Sequence, residues 1–517
     1  MLKDYPKREF LIHGFTEGFA LQYEGPDQSY EVQNNKSARE NQEWVLKKVM
    51  REVKLGRVAG PFNSKPFVNF HVSPLGAVPK KEPGTFRIIH DLSQPKGHSV
   101  NDYISDEYAT VTYESFDHVL NIIASHGKGA LMAKCDVAEA FRIIPVRPQD
   151  YHLLGFKLLN LYFYDRVLPM GCRISCKVFE EFSTSLQYIV NNVYQFYAVH
   201  HILDDFVCVG KSGSYECMRG LKAILKTAEI VGAPIKAEKT VYPNTRVVIH
   251  GIMVDTRKMI ITIPKEKVDK ALTFIQFLLG KTHARLFEIQ RLVGLLNFCC
   301  KCIKPGRAFL RRLWDLTCIH DKRKDNNSTV CISSASKQDL LAWQLFLIKF
   351  NGVTVLLNEP WLSSDILHLH TDACKTIGFA GVLDNEWFMQ TWDTKRKSLN
   401  ILILEFIPIV IALHLFASKL SNKSIVFHTD NLALVHVINN QTTKCSQTMH
   451  LVRKMVVQCL KFNINFHAKH IPGHMNQLAD FLSRLKVDFA KQLDPGLIDH
   501  PLKIPHTLQP CCLLQAF

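Results

Sequence analysis

No run of apolar residues in this chain approaches the roughly twenty that a membrane helix needs, and charges interrupt the longest stretches. Nothing at Met1-Leu-Lys-Asp-Tyr-Pro6 resembles a signal peptide, so an intracellular location is expected, with cytoplasm and nucleus both open. The 15 cysteines are scattered, and neither Cys299-Cys300-Lys301-Cys302 nor Cys511-Cys512 has a matching Cys/His pair at zinc-ligand spacing. Free thiols in a reducing compartment are expected rather than a disulfide framework. Acidic charge is also scarce: 63 Lys plus Arg against 47 Asp plus Glu leave +16. That balance suits a polyanionic partner, or simply a basic soluble protein.

What is present is 517 residues, enough for three or four domains, with an ordinary globular balance of 47% hydrophobic and 21% charged residues. The organising stretch is Tyr197-Ala-Val-His-His-Ile-Leu-Asp204-Asp205-Phe-Val-Cys-Val-Gly210, two apolar runs meeting at adjacent carboxylates. The pattern predicts a hairpin with the acids at its tip. Strand side chains alternate between faces, so both aspartates serve one metal equally only if the backbone turns there. Asp204 is the stronger ligand candidate. An Asp-Asp pair alone is also ordinary turn chemistry. A second carboxylate changes that: Ala130 to Asp136 reads as a strand delivering Asp136 at its end, before a helical turn through Phe141.

Upstream, the first forty residues are polar and poorly periodic, with a Gly25-Pro26-Asp27 turn, and read as an extended lead-in. Gln42 to Lys54 predicts a helix with Trp44, Val45 and Val49 turned to a core. Ser73 to Ser93 predicts a hairpin carrying Lys80, Lys81 and Arg87, either a guarded solvated edge or a grip for phosphates. Val167-Leu-Pro169-Met170-Gly171 opens a helix through Phe179, Phe182 and Leu186. A second helix, about Tyr215 to Val231, precedes Lys236-Ala-Glu-Lys239 and a strand from Val247 to Ile252. Strand, helix, hairpin, helix, strand is the order of a split βαβ layer. Converging carboxylates repel one another, and divalent cations remove that cost; two ions roughly 4 Å apart suit phosphoryl transfer, and Mg²⁺ suits oxygen ligands.

Arg87 in a basic hairpin, Cys135-Asp136 with Ala140-Phe141, Leu168-Pro-Met-Gly171, Leu203-Asp-Asp205, Lys239 and His250-Gly251 together resemble reverse transcriptase. The wording Arg87-Ile-Ile-His-Asp91-Leu-Ser93 with Pro95-Lys-Gly-His-Ser-Val-Asn101 is most similar to the tyrosine-recombinase retrotransposons, the DIRS and Ngaro-like group. The resemblance covers about Pro61 to Arg484. It implies that Asp136, Asp204 and Asp205 bind two Mg²⁺ ions, with Mn²⁺ a possible substitute. It also implies that Phe141 lies under the nucleotide sugar as a gate against a 2′-hydroxyl, and that Arg87 with Lys80 or Lys81 contacts the triphosphate. Met170 and Gly171 would border the nucleotide, Lys239 would donate a proton to pyrophosphate, and His250 with Gly251 would grip the primer. Two departures stand out: Met170 replaces a glutamine familiar in retroviral enzymes, and Ile202 replaces the tyrosine common before Leu-Asp-Asp.

Pro264 to Gly280, and a helix through Leu286, Ile289, Val293 and Leu296 to Cys302, have apolar stripes at helical spacing. The pair resembles a thumb with a connecting region, whose Lys301, Arg307, Arg311 and Arg312 either track a nucleic-acid backbone or form a solvated basic face. Asp321 to Ser336 is the expected linker. After Trp361 a second pattern begins. Ile366 to Asp372 and Ile425 to Asp430 read as strands ending in aspartate, Gly378 to Leu383 as a hairpin partner, and Glu405 opens an apolar helix. Pro408 is tolerable there if the helix starts near Leu404. Asn476 is expected to cap a helix that turns Leu478, Leu482 and Leu485 inward and Asp480 outward. The series Asp372, Glu405, Asp430, Asp480, with His470 ahead of the last, resembles the RNase H domain attached to reverse transcriptases. It implies two further Mg²⁺ ions, with His470 on a mobile loop.

The expected fold is α+β and multidomain: a right-hand polymerase of fingers, palm and thumb, a connecting region, and an α/β RNase H-like domain. The expected limits are a lead-in at 1–55, fingers and palm at 56–255, thumb and connecting helices at 256–320, a linker and connecting helix at 321–361, the RNase H-like domain at 362–486 and a tail at 487–517. The expected activity is RNA- and DNA-directed DNA synthesis with RNA cleavage in one hybrid held along a basic channel. Its partners would be RNA template, DNA primer, RNA·DNA hybrid and deoxynucleoside triphosphates, with no membrane; oligomeric state stays open. The rivals are a decayed or co-opted copy that only binds nucleic acid, and a stand-alone RNase H-like nuclease. No protease, nucleocapsid knuckle or recombinase pattern is visible, so the chain reads as one part of a mobile element.

Overall fold

In a computed structural model of the chain, residues 1–80, 82–321, 328–351, 362, 364–367 and 369–514 are described. Lys81 lies outside them. The chain forms two compact units, Met1–His250 and Gly251–Phe517. Among the described residues no helix is long and apolar enough to cross a membrane.

The first unit corrects the expected lead-in. Helix α1 (Arg8–Glu17) forms there, and Tyr5, Leu11, Phe19 and Leu21 are buried in the same core as the aspartate strands. The helix is only ten residues long, so tertiary contact supports it: Phe15 meets Phe182 edge-on at 5.4 Å. Such contacts leave no local periodicity to read. Helix α2 (Gln42–Lys54) matches its expectation, with Val45 and Val49 buried. Strands β1 (Leu75–Pro79) and β2 (Phe86–His90) form the expected basic hairpin. Helix α3 (Phe116–His126) follows, capped by Ser115.

The central sheet comprises β3 (Leu131–Asp136), β4 (Val199–Ile202), β5 (Asp205–Gly210) and β6 (Val241–Asn244), in the antiparallel order β6-β3-β5-β4. Helices α4 (Ser175–Val193) and α5 (Glu216–Ile230) pack on one face. Alternation decides what lies where. Ala133, Cys135, Phe206 and Cys208 share a buried core with Phe179, Leu186 and Leu221 of the helices. Asp136 pairs in register with Asp205, and Lys134 with Val207, on the other face. The strand expected from Val247 to Ile252 is interrupted: Arg246–Ile249 ends at His250 (φ +45) and Gly251 (φ +80). Strands Gly155–Leu158 and Leu161–Asp165, antiparallel neighbours in a second sheet, have no counterpart in the sequence reading.

In the second unit, α6 (Lys265–Leu279) and α7 (Leu286–Cys299) bury the expected stripes, including Ala271, Ile275, Ile289, Val293 and Leu296. Helix α7 stops three residues before Cys302. The expected linker to Ser336 is structured from Thr329: Thr329–Cys331 pairs with His283–Arg285, and α8 (Ser334–Lys349) follows. Residues 322–327 of it lie outside the described set.

Next come β7 (Leu369–Ala373), β8 (Gly378–Leu383) and β9 (Glu386–Thr391), an antiparallel sheet in sequence order. Ile366 and Leu367, expected in the first strand, belong instead to a short helix, Ser364–Leu367. Helix α9 (Ile401–Leu415) is capped by Asn400, whose Oδ1 accepts from the Leu402 amide. It therefore begins before Leu404, and Pro408 lies inside it. Pro408 has no N–H to offer the Leu404 carbonyl. The helix survives because burial is almost continuous from Ile403 to Leu413. Strand β10 (Ser424–Thr429), helix α10 (Ser446–Lys461), strand β11 (Asn465–His470) and helix α11 (Gln477–Ser483) complete the layer, with β10 and β11 parallel. The tail, unreadable from sequence, packs against this layer: Trp387 Nε1 donates to the Ile498 carbonyl at 2.8 Å, and Lys454 to that of Cys512 at 3.1 Å.

Inside the second unit, Asp339 of α8 meets Arg453 of α10 at 3.1 Å, with Arg453 only 1% exposed, and Arg312 at 3.2 Å. Burial pushes the Asp339 carboxyl up to about 6 despite both guanidinium groups, so attraction does not cover the desolvation cost. Asp339→Ala would leave Arg453 buried without its carboxylate, a loss of about 3–5 kcal/mol. A urea titration checks this; an unchanged midpoint would contradict it. Asp339→Leu with Arg453→Met should recover most of the loss.

Candidate active site

Asp136, Asp204 and Asp205 meet where β3 and the β4-β5 hairpin end. The backbone does turn between the adjacent aspartates: Leu203 has φ +51, β4 stops at Ile202, and β5 begins at Asp205. Asp205 thereby shares a face with Asp136, while the Asp204 carbonyl accepts from the Val137 amide at 2.9 Å. Burial, and then Asp136, raise the Asp204 pKa. Burial also raises that of Asp205, with Lys134 opposing and Asp136 and Asp204 adding to the rise. Asp136 is held by Lys236, in a close ion pair, and by Lys239 at 3.1 Å. Burial lowers the Lys239 pKa, but the Asp136 hydrogen bond and charge, with Asp204 and Lys236 adding, together raise it overall.

Three residues whose local sequence gives them no role gather at or beside this centre. Glu180, buried on α4, accepts from the Leu203 amide at 2.9 Å and so holds the turn before Asp204. Its only signal was a carboxylate in the Phe179–Phe182 apolar stripe. Lys236 was visible as a neighbour of Lys239 but not as the closer partner of Asp136. Arg142 reaches Asp165 at 2.6 Å and Glu52 at 3.0 Å, and His90 Nδ1 donates to the other Asp165 oxygen at 2.9 Å.

Beside the acids opens a cavity of about 510 Å³ lined by Lys80, Arg87, Phe141, Arg142, Met170, Leu203, Asp204 and Lys236 among others. Six Lys or Arg side chains and four carboxylates line it, and burial lowers the Lys80 pKa, with Lys48, Arg87 and Lys236 adding to the shift. Phe141 is held edge-on to Phe179 at 5.8 Å. Met170 is pinned because its carbonyl accepts from the His90 amide at 2.9 Å. Gly171 has φ +124, and a Cβ there would lie 2.0 Å from the His90 carbonyl oxygen, so only glycine lets the loop meet β2. His250 turns inward, its Nε2 2.9 Å from His200 Nε2 and its Nδ1 3.5 Å from Asp205. In the second unit, the Gly251 carbonyl accepts from Lys267 at 3.3 Å. Arg307 is exposed, and Arg311 pairs with Asp315 on its own helix at 2.9 Å.

The second set of acids collects in the second unit. Burial raises the Asp372 pKa, Ser483 opposes, and Asp480 and Asp430 raise it further. Burial, Asp430 and Asp372 push Glu405 up to about 7. Carboxyls with raised pKa values in one place are a donor set short of positive charge, which suits divalent cations with oxygen ligands. Ser483 donates to Asp372 at 2.6 Å, and Asn476 donates to the Thr371 carbonyl at 2.9 Å. Asn476 stands at the N-cap position of α11 but makes no side-chain cap bond, which corrects its expected role. Asp480 pairs with Arg484 at 2.7 Å. Leu482 is buried, whereas Leu485, past the helix end with φ +62, is exposed. His470 is the last residue of β11 rather than part of a loop, and its Nε2 lies 3.1 Å from the Asp430 carbonyl oxygen.

Residues 78–259 match the family described as reverse transcriptase (RNA-dependent DNA polymerase), and residues 384–486 match the family described as reverse transcriptase-like. The Transposon Tf2-7 and Tf2-3 polyproteins of Schizosaccharomyces pombe are each 23% identical over 452 residues, 84% of this chain. The chain spans 30% of the length of these relatives. A foamy viral protease-reverse transcriptase solved with double-stranded DNA is 16% identical with a TM-score of 0.51, covering 88% of this chain and 74% of that one. Another, solved with an RNA/DNA hybrid, is 14% identical with a TM-score of 0.51, covering 87% of this chain and 56% of that one. The fold thus resembles that of the foamy viral enzymes, with a region similar to reverse transcriptase followed by a reverse transcriptase-like one, and the group of retrotransposons is set no more finely than by these polyproteins.

Proposed function

We propose that this chain copies RNA and DNA templates into DNA and cleaves the RNA strand of RNA·DNA hybrids, as part of a retrotransposon of the tyrosine-recombinase group. The observation that carries the reading is the 510 Å³ cavity, where Lys80, Arg87, Phe141, Met170 and Asp204 converge from separate stretches. Its volume suits one nucleotide-sized ligand. Lys80 and Arg87 bind the triphosphate of a deoxynucleoside triphosphate, and Phe141 packs under the sugar where a 2′-hydroxyl would collide. Asp136, Asp204 and Asp205 hold Mg²⁺, which supplies charge compensation for the reacting phosphate. Lys236 and Lys239, which pair with Asp136, would stand near the phosphates, where Lys239 would give a proton to pyrophosphate. His250 and Gly251 serve the primer side, and Arg307 and Arg311 contact the nucleic-acid backbone.

Asp372, Glu405, Asp430 and Asp480 hold the ions of the nuclease, and His470 moves a proton or product beside Asp430. A 2′-hydroxyl distinguishes the strand to be cut. The group assignment rests on the Arg87–Asn101 wording. One experiment tests the function: a labelled DNA primer on an RNA template with Mg²⁺, with extension and RNA cleavage scored in the same tube. Both products are expected. Binding of the hybrid without extension would establish a nucleic-acid-binding protein instead.

A further inference from the structure

Outside both carboxylate clusters, Glu114, His118 and His200 place one ligand atom each within 4.8 Å of one another. Glu114 Oε2 lies 3.2 Å from His118 Nδ1 and 2.7 Å from His200 Nδ1. In a tetrahedral zinc site with bonds near 2.0–2.1 Å, neighbouring ligand atoms are about 3.3 Å apart, inside the observed spread. The orientation of the groups is more telling than their spacing. His200 is 1% exposed, and its Nδ1 and the Glu114 Oε2, though only 2.7 Å apart, form no well-directed hydrogen bond. A buried imidazole nitrogen and a carboxylate oxygen aimed past each other suit a third body between them.

The surroundings hold the three groups in place. Ser115 caps α3 by accepting from the His118 amide at 3.1 Å, which fixes Glu114 and His118 on one turn. Gln187 donates to Glu114 Oε1 at 3.3 Å and leaves Oε2 to the cluster. Two imidazoles and one carboxylate select a borderline-soft ion rather than Mg²⁺, which prefers oxygen. His118 is 47% exposed, so water has access to a fourth position.

We propose that Glu114, His118 and His200 form a Zn²⁺ site with a solvent-filled fourth position. The far side of His200 gives this site a consequence. With the ion on Nδ1, His200 carries its proton on Nε2 and donates to His250 Nε2, 2.9 Å away. His250 then carries its proton on Nδ1, the atom 3.5 Å from Asp205. The ion thus sets the tautomer that offers Asp205 a donor, as outer-shell histidine partners do. His200 and His250 are positioning residues here.

The test uses the full chain, stripped with a chelator and dialysed against Zn²⁺ or Co²⁺. One equivalent of Zn²⁺ per chain is expected by atomic emission, and Co²⁺ should give the visible absorption of a four-coordinate centre. His118→Ala, at a half-exposed position, should weaken Zn²⁺ binding by at least about tenfold. Asp136→Asn and Asp372→Asn should bind it as the parent does, which separates this site from the carboxylate centres. No bound equivalent in the parent, or a His118→Ala variant that binds Zn²⁺ and gives the same Co²⁺ spectrum, overturns the proposal. Circular dichroism on His118→Ala distinguishes a lost ligand from a lost fold.

Discussion

Asp204→Asn is expected to lower primer extension on RNA by at least about 10³-fold, some 4 kcal/mol of barrier, while hybrid cleavage stays within about twofold. Asparagine keeps the side-chain volume and removes the charge. Because burial and Asp136 already raise the Asp204 pKa, the folded chain gains nothing from that charge, and the variant should be at least as stable as its parent. A loss of synthesis is then chemical rather than structural. Asp136→Asn should be equally inactive, but it is the less clean probe because it strips Lys236 and Lys239 of their shared partner. Synthesis within tenfold of the parent in Asp204→Asn would remove the polymerase assignment and favour a nuclease with a structural N-terminal half.

The hairpin and its acids were readable because alternating β-branched residues and a following turn are local signals. What was not local was not readable. That Asp205 stands opposite Asp136 follows from register with another strand, set 69 residues away in the chain, whereas alternation of side chains along the hairpin put Asp204 first. Glu180, Lys236 and Ser483 look like solvated side chains until the fold brings Leu203, Asp136 and Asp372 to them. Helix α1 and the tail were missed for the same reason: each is held by burial against remote residues, Phe182 and Trp387, rather than by its own pattern. Pro408 shows the converse, a local rule against a helix interior overridden by burial on every side. Glu114, His118 and His200 have no cysteine-rich zinc spacing and come together from two distant segments, so no local pattern marks them.

Glu405→Gln should abolish hybrid cleavage, by about 10³-fold or more, and yet stabilise the metal-free protein above neutral pH. Burial, Asp430 and Asp372 hold the folded Glu405 pKa at about 7, against 4.5 as the ordinary value. Below about 4.5 the residue is protonated in both states and contributes no difference. Between there and 7 the folded chain keeps a proton that the unfolded chain releases, so stability falls as pH rises, and above 7 the whole penalty is present. The shift sets a ceiling of roughly 3 kcal/mol, and partial solvent access brings the expected gain to about 1–2 kcal/mol. Thermal unfolding in chelator at pH 5 and pH 8 reads this directly: the two proteins should nearly coincide at the lower pH and separate at the higher, with the variant the more stable. Adding Mg²⁺ at pH 8 should then raise the parent more than the variant, because compensation by a cation is worth most where the charge is least tolerated. A variant that unfolds earlier than its parent at pH 8 would mean that Glu405 is a structural anchor, held by Thr429 at 3.3 Å, rather than a strained acid kept for a metal.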